Sequence, residues 1–304
     1  MAGVVDRGEP CTSHPGVPGE IRARVFLLGC SRSSTTVLQR SLAGHPAAHS
    51  FPETGFFRQL GGNRLWARVA LAGLVRGRAV RRAFTRLDQV VPGLSLPATQ
   101  ERALLPTARV VEQFREALDR HVVGLDGTIW IEKTPKHYQY CRLIRRYLPD
   151  ARIIHIIRDG RDVTASIRDR ARAFPERFAH QSDPAYGVRE WNRALRMAWM
   201  QRRTPGVRLL RFDFLVGEPE RCLRGLCRFI GVDYSPAMLR GNGRENVVLP
   251  HEQWKKAAGG DIRPPQSKFD SAFSAAERRW INRHLDWRTY RKLERALAAE
   301  EAAS

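Results

Sequence analysis

The 304-residue sequence has no apolar run near the roughly 18 residues that a membrane-spanning helix needs. Its longest apolar stretches are Val69 to Val75, counting Gly73, and Ile153 to Ile157, with His155 inside, so no transmembrane segment is expected. Met1 to Glu20 holds no apolar h-region either. Rich in Gly and Pro, residues 1–20 read as a flexible leader and the protein as cytoplasmic. Cysteine is sparse: Cys11, Cys30, Cys141, Cys222 and Cys227 are odd in number and include no C-x-x-C pair, which argues against a disulfide framework or a thiolate zinc site and for reduced thiols. Lysine supplies only 6 of the 52 basic residues, an Arg and Ala skew of the kind a GC-rich genome produces. Acidic residues number 31, leaving a net charge of +21, so an anionic partner is expected: nucleic acid, an acidic membrane surface or a phosphorylated small molecule.

With 42% hydrophobic and 27% charged residues, the chain has a globular composition that excludes disorder as its main state. Arg24 to Leu28 is a short β-prone run closed by Gly29. Val37, Leu38, Ser41 and Leu42 then recur at helical spacing until Gly44, His45 and Pro46 stop the helix. Ala151 to Ile157 is a second strand, because RIIHII is an apolar run of the kind buried on both faces of a parallel sheet, and DVTASIRDR after it reads as a helix. Further strands are expected at Thr128 to Glu132 and Val207 to Phe212. Helices are expected at Tyr138 to Tyr147, Gly187 to Arg202, Glu218 to Ile230, Ala275 to Leu285 and Tyr290 to Ala299. The alternation predicts a single α/β domain over residues 21–304, with a central, mostly parallel β-sheet flanked by helices and joined by right-handed crossovers. No internal repeat interrupts it.

Arg58 to Leu87 departs from this pattern, with eight Arg, no acidic residue and an apolar stripe of Trp66, Val69, Val80, Phe84 and Leu87. It reads as a basic amphipathic helical insertion. The basic face is either solvated above a core contact or a lid or docking surface that meets an acidic partner through Arg58 to Arg86.

Open α/β sheets bind anions where strands end and helices begin, since loop N–H groups and the helix dipole both favour negative charge there. The first such place is Gly29-Cys-Ser-Arg-Ser-Ser-Thr-Thr36. A tight turn, a cationic Arg32 and the hydroxyls of Ser33, Ser34, Thr35 and Thr36 make it either a phosphate cradle or a hydroxyl-rich helix cap. A Walker A loop needs Gly at position 34 with Lys after it, and a hydrolase elbow around Ser31 needs Gly at 33; neither fits. A second strand end carries Arg158, with Ser166 a turn or two into the following helix. A third, Trp130-Ile-Glu-Lys-Thr-Pro-Lys-His137, places Lys133 and His137 on the same rim.

Together these strand ends resemble the sulfotransferases that use 3′-phosphoadenosine 5′-phosphosulfate (PAPS). Gly29 to Thr36 looks like their 5′-phosphosulfate loop, usually G-x-x-[RK]-S-G-T-T, with Ser34 standing at the loop Gly. Arg158 and Ser166, eight residues apart, match their 3′-phosphate motif. His45-Pro46 through Pro52-Glu53-Thr54 resembles the H-P…E-[ET] stretch of the tyrosylprotein and related bacterial branches, and Glu132-Lys133-Thr134-Pro135-x-His137 a stretch frequent in bacterial members. The resemblance runs from about Arg24 to Ile230, and implies a P-loop NTPase-like sulfotransferase fold with residues 58–125 as a helical, acceptor-side insertion. The family's C-terminal 3′-phosphate motif has no clean counterpart; Arg263 is the candidate for that contact, against Lys255 or Lys256.

The resemblance further implies a mechanism. Arg32, Ser33, Ser34, Thr35 and Thr36 would hold the 5′-phosphosulfate and Arg158, Ser166 and Arg263 the 3′-phosphate. Lys133 would neutralise the departing bridging oxygen, and Glu53 would take the proton of a hydroxyl acceptor, be it small molecule, lipid, glycan or peptide. His137 is the rival base, since an imidazole titrates near neutrality. No metal is implied: His45 and His49 have H-x-x-x-H spacing but flank Pro46 in an expected loop with no third ligand. Trp191, Met197 and Trp199 at helical spacing are expected in the core. Two other classes fit less of the sequence: a basic nucleic-acid-binding protein, supported by charge without a recognition motif, and a P-loop-like kinase, which lacks its Lys.

Overall fold

The computed structural model describes residues 19–94, 96, 103–240, 262 and 267–302. Its strands are β1 (Ala23–Gly29), β2 (Ala48–Phe51), β3 (Leu74–Arg76), β4 (Leu104–Pro106), β5 (Ile129–Lys133), β6 (Arg152–Ile157) and β7 (Val207–Arg211). Five of these form one sheet in the order β2-β5-β1-β6-β7, with every pair parallel, while β3 and β4 make a separate antiparallel ribbon. Val25 to Leu28 of β1 are fully buried, and their alternation sends Phe26 and Leu28 into one apolar cluster and Val25 and Leu27 into the other. A strand covered on both faces has no polar side to spare, which is why its sequence is a continuous apolar run.

The helices among the described residues are α1 (Thr35–Ala43), α2 (Phe56–Gly61), α3 (Arg64–Leu71), α4 (Gly77–Val90), α5 (Thr107–Val123), α6 (Cys141–Tyr147), α7 (Gly160–Ala173), α8 (Pro175–Phe178), α9 (Pro184–Gln201), α10 (Phe212–Gly217), α11 (Pro219–Ile230), α12 (Phe269–Ala272), α13 (Ala275–His284) and α14 (Trp287–Ala302). Among the described residues no helix is long and apolar enough to cross a membrane. The chain is therefore α/β with a central parallel sheet flanked by helices, as the alternation of elements predicts. Trp191 is buried in the core, with Met197 and Trp199 packed at its margin. Cys30, Cys141, Cys222 and Cys227 are free and buried; Cys11 and most of the leader lie outside the described residues.

Several expectations need correction. The segment from Arg58 to Leu87 is not one helical insertion. Gly62 (φ 54°) and Gly73 (φ 113°) adopt left-handed backbone that ends α2 and α3, and Val75 belongs to the β3–β4 ribbon. The stripe survives in α4, where Val80, Phe84 and Leu87 are buried and Arg78, Arg81 and Arg82 are exposed. Trp66 instead stacks under the Arg76 guanidinium, 4.1 Å from its ring centre. His49 sits on edge strand β2 rather than in a loop. Within Tyr138 to Tyr147 the α-helix begins only at Cys141, because Pro135–Tyr140 forms a 3₁₀ turn first.

Candidate active site

At the end of β1 a Cβ on Gly29 would meet the Ile156 carbonyl oxygen at 2.8 Å, so only Gly lets the chain turn there against β6. Arg32 (φ 74°) and Ser34 (φ 63°) both adopt left-handed backbone before α1 begins at Thr35. Such reversals gather successive N–H groups into an anion-binding concavity, here beside the positive end of α1. Ser33, Thr35 and Thr36 are buried in it.

Three arginines converge on this loop. Arg32 Nε donates to Ser166 Oγ at 3.0 Å, which ties the loop to α7. Arg158, leaving β6, donates from Nη1 to Ser34 Oγ at 3.3 Å and from Nη2 to Asp162 at 3.0 Å, and its guanidinium lies 4.9 Å from the Phe212 ring centre. Asp162, Ser166 and Arg170 recur every four residues on α7 and so share one face. Burial first, then the like charges of Arg170 and Arg158, bring the Arg32 guanidinium down to about 10. Burial likewise lowers Arg170, against the attraction of Tyr186 and Glu53. The Nε atoms of Arg158 and Arg170 are buried and have no hydrogen-bond partner among the described residues. Crowded cations with spare donors are what a bound polyanion would complete, so the residues fit a phosphate- or sulfate-bearing ligand.

The neighbouring strand end supplies the second half of the site. Lys133 at the end of β5 is buried and its Nζ lies 2.9 Å from Glu53 Oε1, on the segment between β2 and α2. Glu53 keeps 30% of its side-chain surface open. His137 does not stand on the rim beside Lys133. Its side chain is fully buried, with Nδ1 3.1 Å from Glu132 Oε2 and the ring edge-to-face with Phe57 at 5.5 Å. Glu132, also fully buried, accepts from the Thr54 amide (3.3 Å), the Thr54 hydroxyl (2.7 Å) and the Thr134 hydroxyl (2.5 Å). Burial would raise its carboxyl; His137 and the hydroxyl donors outweigh that and hold it below the ordinary value.

The structure thus brings together Arg32, Ser33, Ser34, Thr35, Thr36, Arg158 and Ser166 around one loop, and Glu53 with Lys133 at the adjacent strand end. Arg263, like Lys255 and Lys256, lies outside the described residues. His45 Nε2 lies 3.1 Å from the Asp233 carbonyl and His49 Nε2 3.3 Å from that of Leu125. Among the described residues no three His, Cys, Asp or Glu gather as metal ligands. Cys30, inside the loop, is pushed up to about 12 by burial and Glu190, which removes it as a thiolate nucleophile at neutral pH. The sequence reading missed Arg170, Phe212 and the role of Glu132. Arg170 follows Ser166 at i+4, and Glu132 is the acidic residue that directly follows the apolar run Ile129-Trp130-Ile131, so both carried a readable signal.

The chain thus combines a parallel α/β sheet with an arginine-lined loop at its carboxyl edge and a Lys–Glu pair at the adjacent strand end. The chain belongs to the sulfotransferase family, whose family model matches residues 24–236. It is 25% identical over 242 residues to protein-tyrosine sulfotransferase 1 of Danio rerio, a match covering 78% of this chain and 58% of the relative. Two solved structures share the fold. One is the sulfotransferase domain from the curacin biosynthetic pathway (16% identity, TM-score 0.54, 86% of this chain and 96% of that one). The other is the sulfotransferase domain of the Synechococcus PCC 7002 olefin synthase (17%, 0.54, 90% and 97%).

Proposed function

We propose that the protein transfers the sulfuryl group of PAPS to a hydroxyl acceptor. The observation that carries this reading is the Glu53–Lys133 pair at 2.9 Å, set at the strand end next to the three-arginine loop. Arg32, Ser33, Ser34, Thr35, Thr36 and the loop amides hold the 5′-phosphosulfate, and Arg158 with Ser166 holds the 3′-phosphate. Glu53 takes the acceptor's proton while the acceptor oxygen forms a bond to sulfur. The bond from sulfur to the bridging oxygen breaks, and Lys133 receives the charge left on the departing bisphosphate. Transfer of this kind is mostly positioning and charge stabilisation, for which a fixed acid–base pair and a preformed loop suffice.

The acceptor side is the basic surface of α3 and α4. Arg86 Nη2 reaches the Glu53 carbonyl at 3.5 Å, so the surface begins at the base itself. With no acidic residue from Arg58 to Leu87, it suits an acceptor that carries negative charge near its hydroxyl.

Thermal unfolding with adenosine 3′,5′-bisphosphate, beside ADP and AMP, tests the cofactor. A ligand at about 100 times its Kd stabilises by about 2.7 kcal/mol, a rise of several degrees. The shift is expected with the bisphosphate alone and is expected to vanish in Arg158→Ala. Glu53→Gln keeps the shift and loses turnover by about 10²- to 10⁴-fold. Equal shifts with all three nucleotides, or none, would remove the reading.

A further inference from the structure

The Glu132 carboxylate touches neither the arginine loop nor the outside, yet it is central to the packing between the two halves of the Lys–Glu pair. Glu53 is followed by a turn, Thr54-Gly55-Phe56, whose middle residue has a left-handed backbone (φ 64°). Its three successive amides all end on one small network. Thr54 N–H donates to Glu132 Oε1 (3.3 Å), Gly55 N–H to Thr134 Oγ1 (3.1 Å) and Phe56 N–H to Thr54 Oγ1 (3.2 Å). Both hydroxyls in turn donate to Glu132 Oε1, at 2.7 Å from Thr54 and 2.5 Å from Thr134. The other carboxylate oxygen is held by His137. Thr54 follows Glu53 in the chain and Thr134 follows Lys133, so one buried oxygen fixes the residue after each.

We propose that Glu132 is the positioning residue of this site: through Thr54 and Thr134 it sets the separation of Glu53 from Lys133, with His137 as its own support. The inference rests on the reading of Glu53 as the base. A neutral apolar residue would leave the buried hydroxyls of Thr54 and Thr134 without this acceptor, and a carboxylate is the one side chain that offers several lone pairs and no competing donor. Both oxygens of Glu132 are satisfied, His137 Nε2 alone lacking a partner among the described residues, and a buried carboxylate held in this way fixes geometry, which a catalytic pair needs to within about half an ångström. The arrangement also accounts for the Glu-Lys-Thr-Pro-Lys-His sequence: Glu132 and Lys133 alternate to opposite faces of β5, and the 3₁₀ turn after Pro135 brings His137 back beneath Glu132.

The test compares Thr54→Val and Thr134→Val, which keep shape and lose the hydroxyl, with Thr54→Ser and Thr134→Ser, which restore it. The assay follows release of adenosine 3′,5′-bisphosphate from PAPS with 4-nitrophenol present, so that either phenol or water accepts the sulfuryl group. Calorimetric affinity for the bisphosphate is read alongside. Each Val variant is expected to lose at least about tenfold in kcat, with bisphosphate affinity within about twofold of the parent and KM for PAPS little changed. The double Val variant should lose less than the product of the two, because both hydroxyls act through one carboxylate. Each Ser variant should regain most of the loss, a rescue that general loosening of the fold does not give.

Val variants that keep full kcat, or Ser variants no better than Val, overturn the proposal. Glu53→Gln in the same assay separates the two layers. If it retains turnover, the base assignment fails whatever the threonines do; if it is inactive while the Val variants are not, the positioning role alone fails.

Discussion

Ser34 holds a left-handed backbone that costs an L-residue about 1 kcal/mol or more, and its hydroxyl recovers part of this by accepting from Arg158. Glycine relieves the strain but adds freedom to the unfolded chain, which leaves a net gain of roughly 0.5 kcal/mol. Ser34→Gly is therefore expected to raise the unfolding midpoint by about 1 to 2 °C while bisphosphate affinity stays within a few-fold, as read by thermal unfolding and calorimetry. At this scale the sequence shows residues whose type is itself the signal: the hydroxyl-rich loop after Gly29, and Arg158 with Ser166. It hides residues whose role depends on a partner far along the chain. His137 looks like a rim imidazole until Glu132 and Phe57 close over it, and Glu132 acquires its role only when Thr54, 78 positions earlier, is brought beside it.

Helix α7 carries three of the residues around the loop Gly29 to Thr36, and its first residue decides how closely it lies against α9. A Cβ on Gly160 would meet Trp191 and Leu285 at 2.8 Å. Trp191 Nε1 also donates to the Arg158 carbonyl at 2.9 Å, so a displaced indole moves the backbone from which Arg158 projects. Gly160→Ala is expected to cost about 1 to 3 kcal/mol by overpacking and to weaken the bisphosphate more than ADP, checked by denaturant unfolding and paired titrations. Elements legible in the sequence are those whose environment demands a distinctive pattern: the two-face-buried RIIHII of β6 and the stripe of α4. Strand β2, with AHSF at the sheet edge, and the three-residue strands β3 and β4 have too few residues to show a period. The run Val69 to Val75 misleads because Gly73 divides it between a helix and a strand.

At the scale of the whole molecule, His155 ties stability to pH. It is buried on β6, between β1 and β7, its ring stacked 6.0 Å from Tyr138 and its Nδ1 3.5 Å from Gln201 Oε1, and burial lowers its pKa to about 4. A folded pKa below the unfolded value means that the unfolded chain binds the proton first. The stabilisation is then complete above about pH 6.5 and is lost as pH falls toward 4. The loss is roughly 3 kcal/mol across that window. Urea unfolding at pH 7, 5 and 4 should show it, and His155→Gln should flatten the slope between pH 7 and 5.

The strand order has a further consequence in the time domain. Among the described residues β1 pairs with β5 and β6, and the first of these begins at Ile129, 100 positions after Gly29. At ribosomal rates of about 5 to 20 residues per second, the apolar segment Val25 to Leu28 waits roughly 5 to 20 seconds after synthesis for its first neighbour in the sheet. During that interval the strand that will end at Gly29 is an open edge, the point at which nascent copies most readily stick to one another. Yield of this protein should therefore respond to elongation speed, culture temperature and holdase supply before it responds to any change at the mature surface.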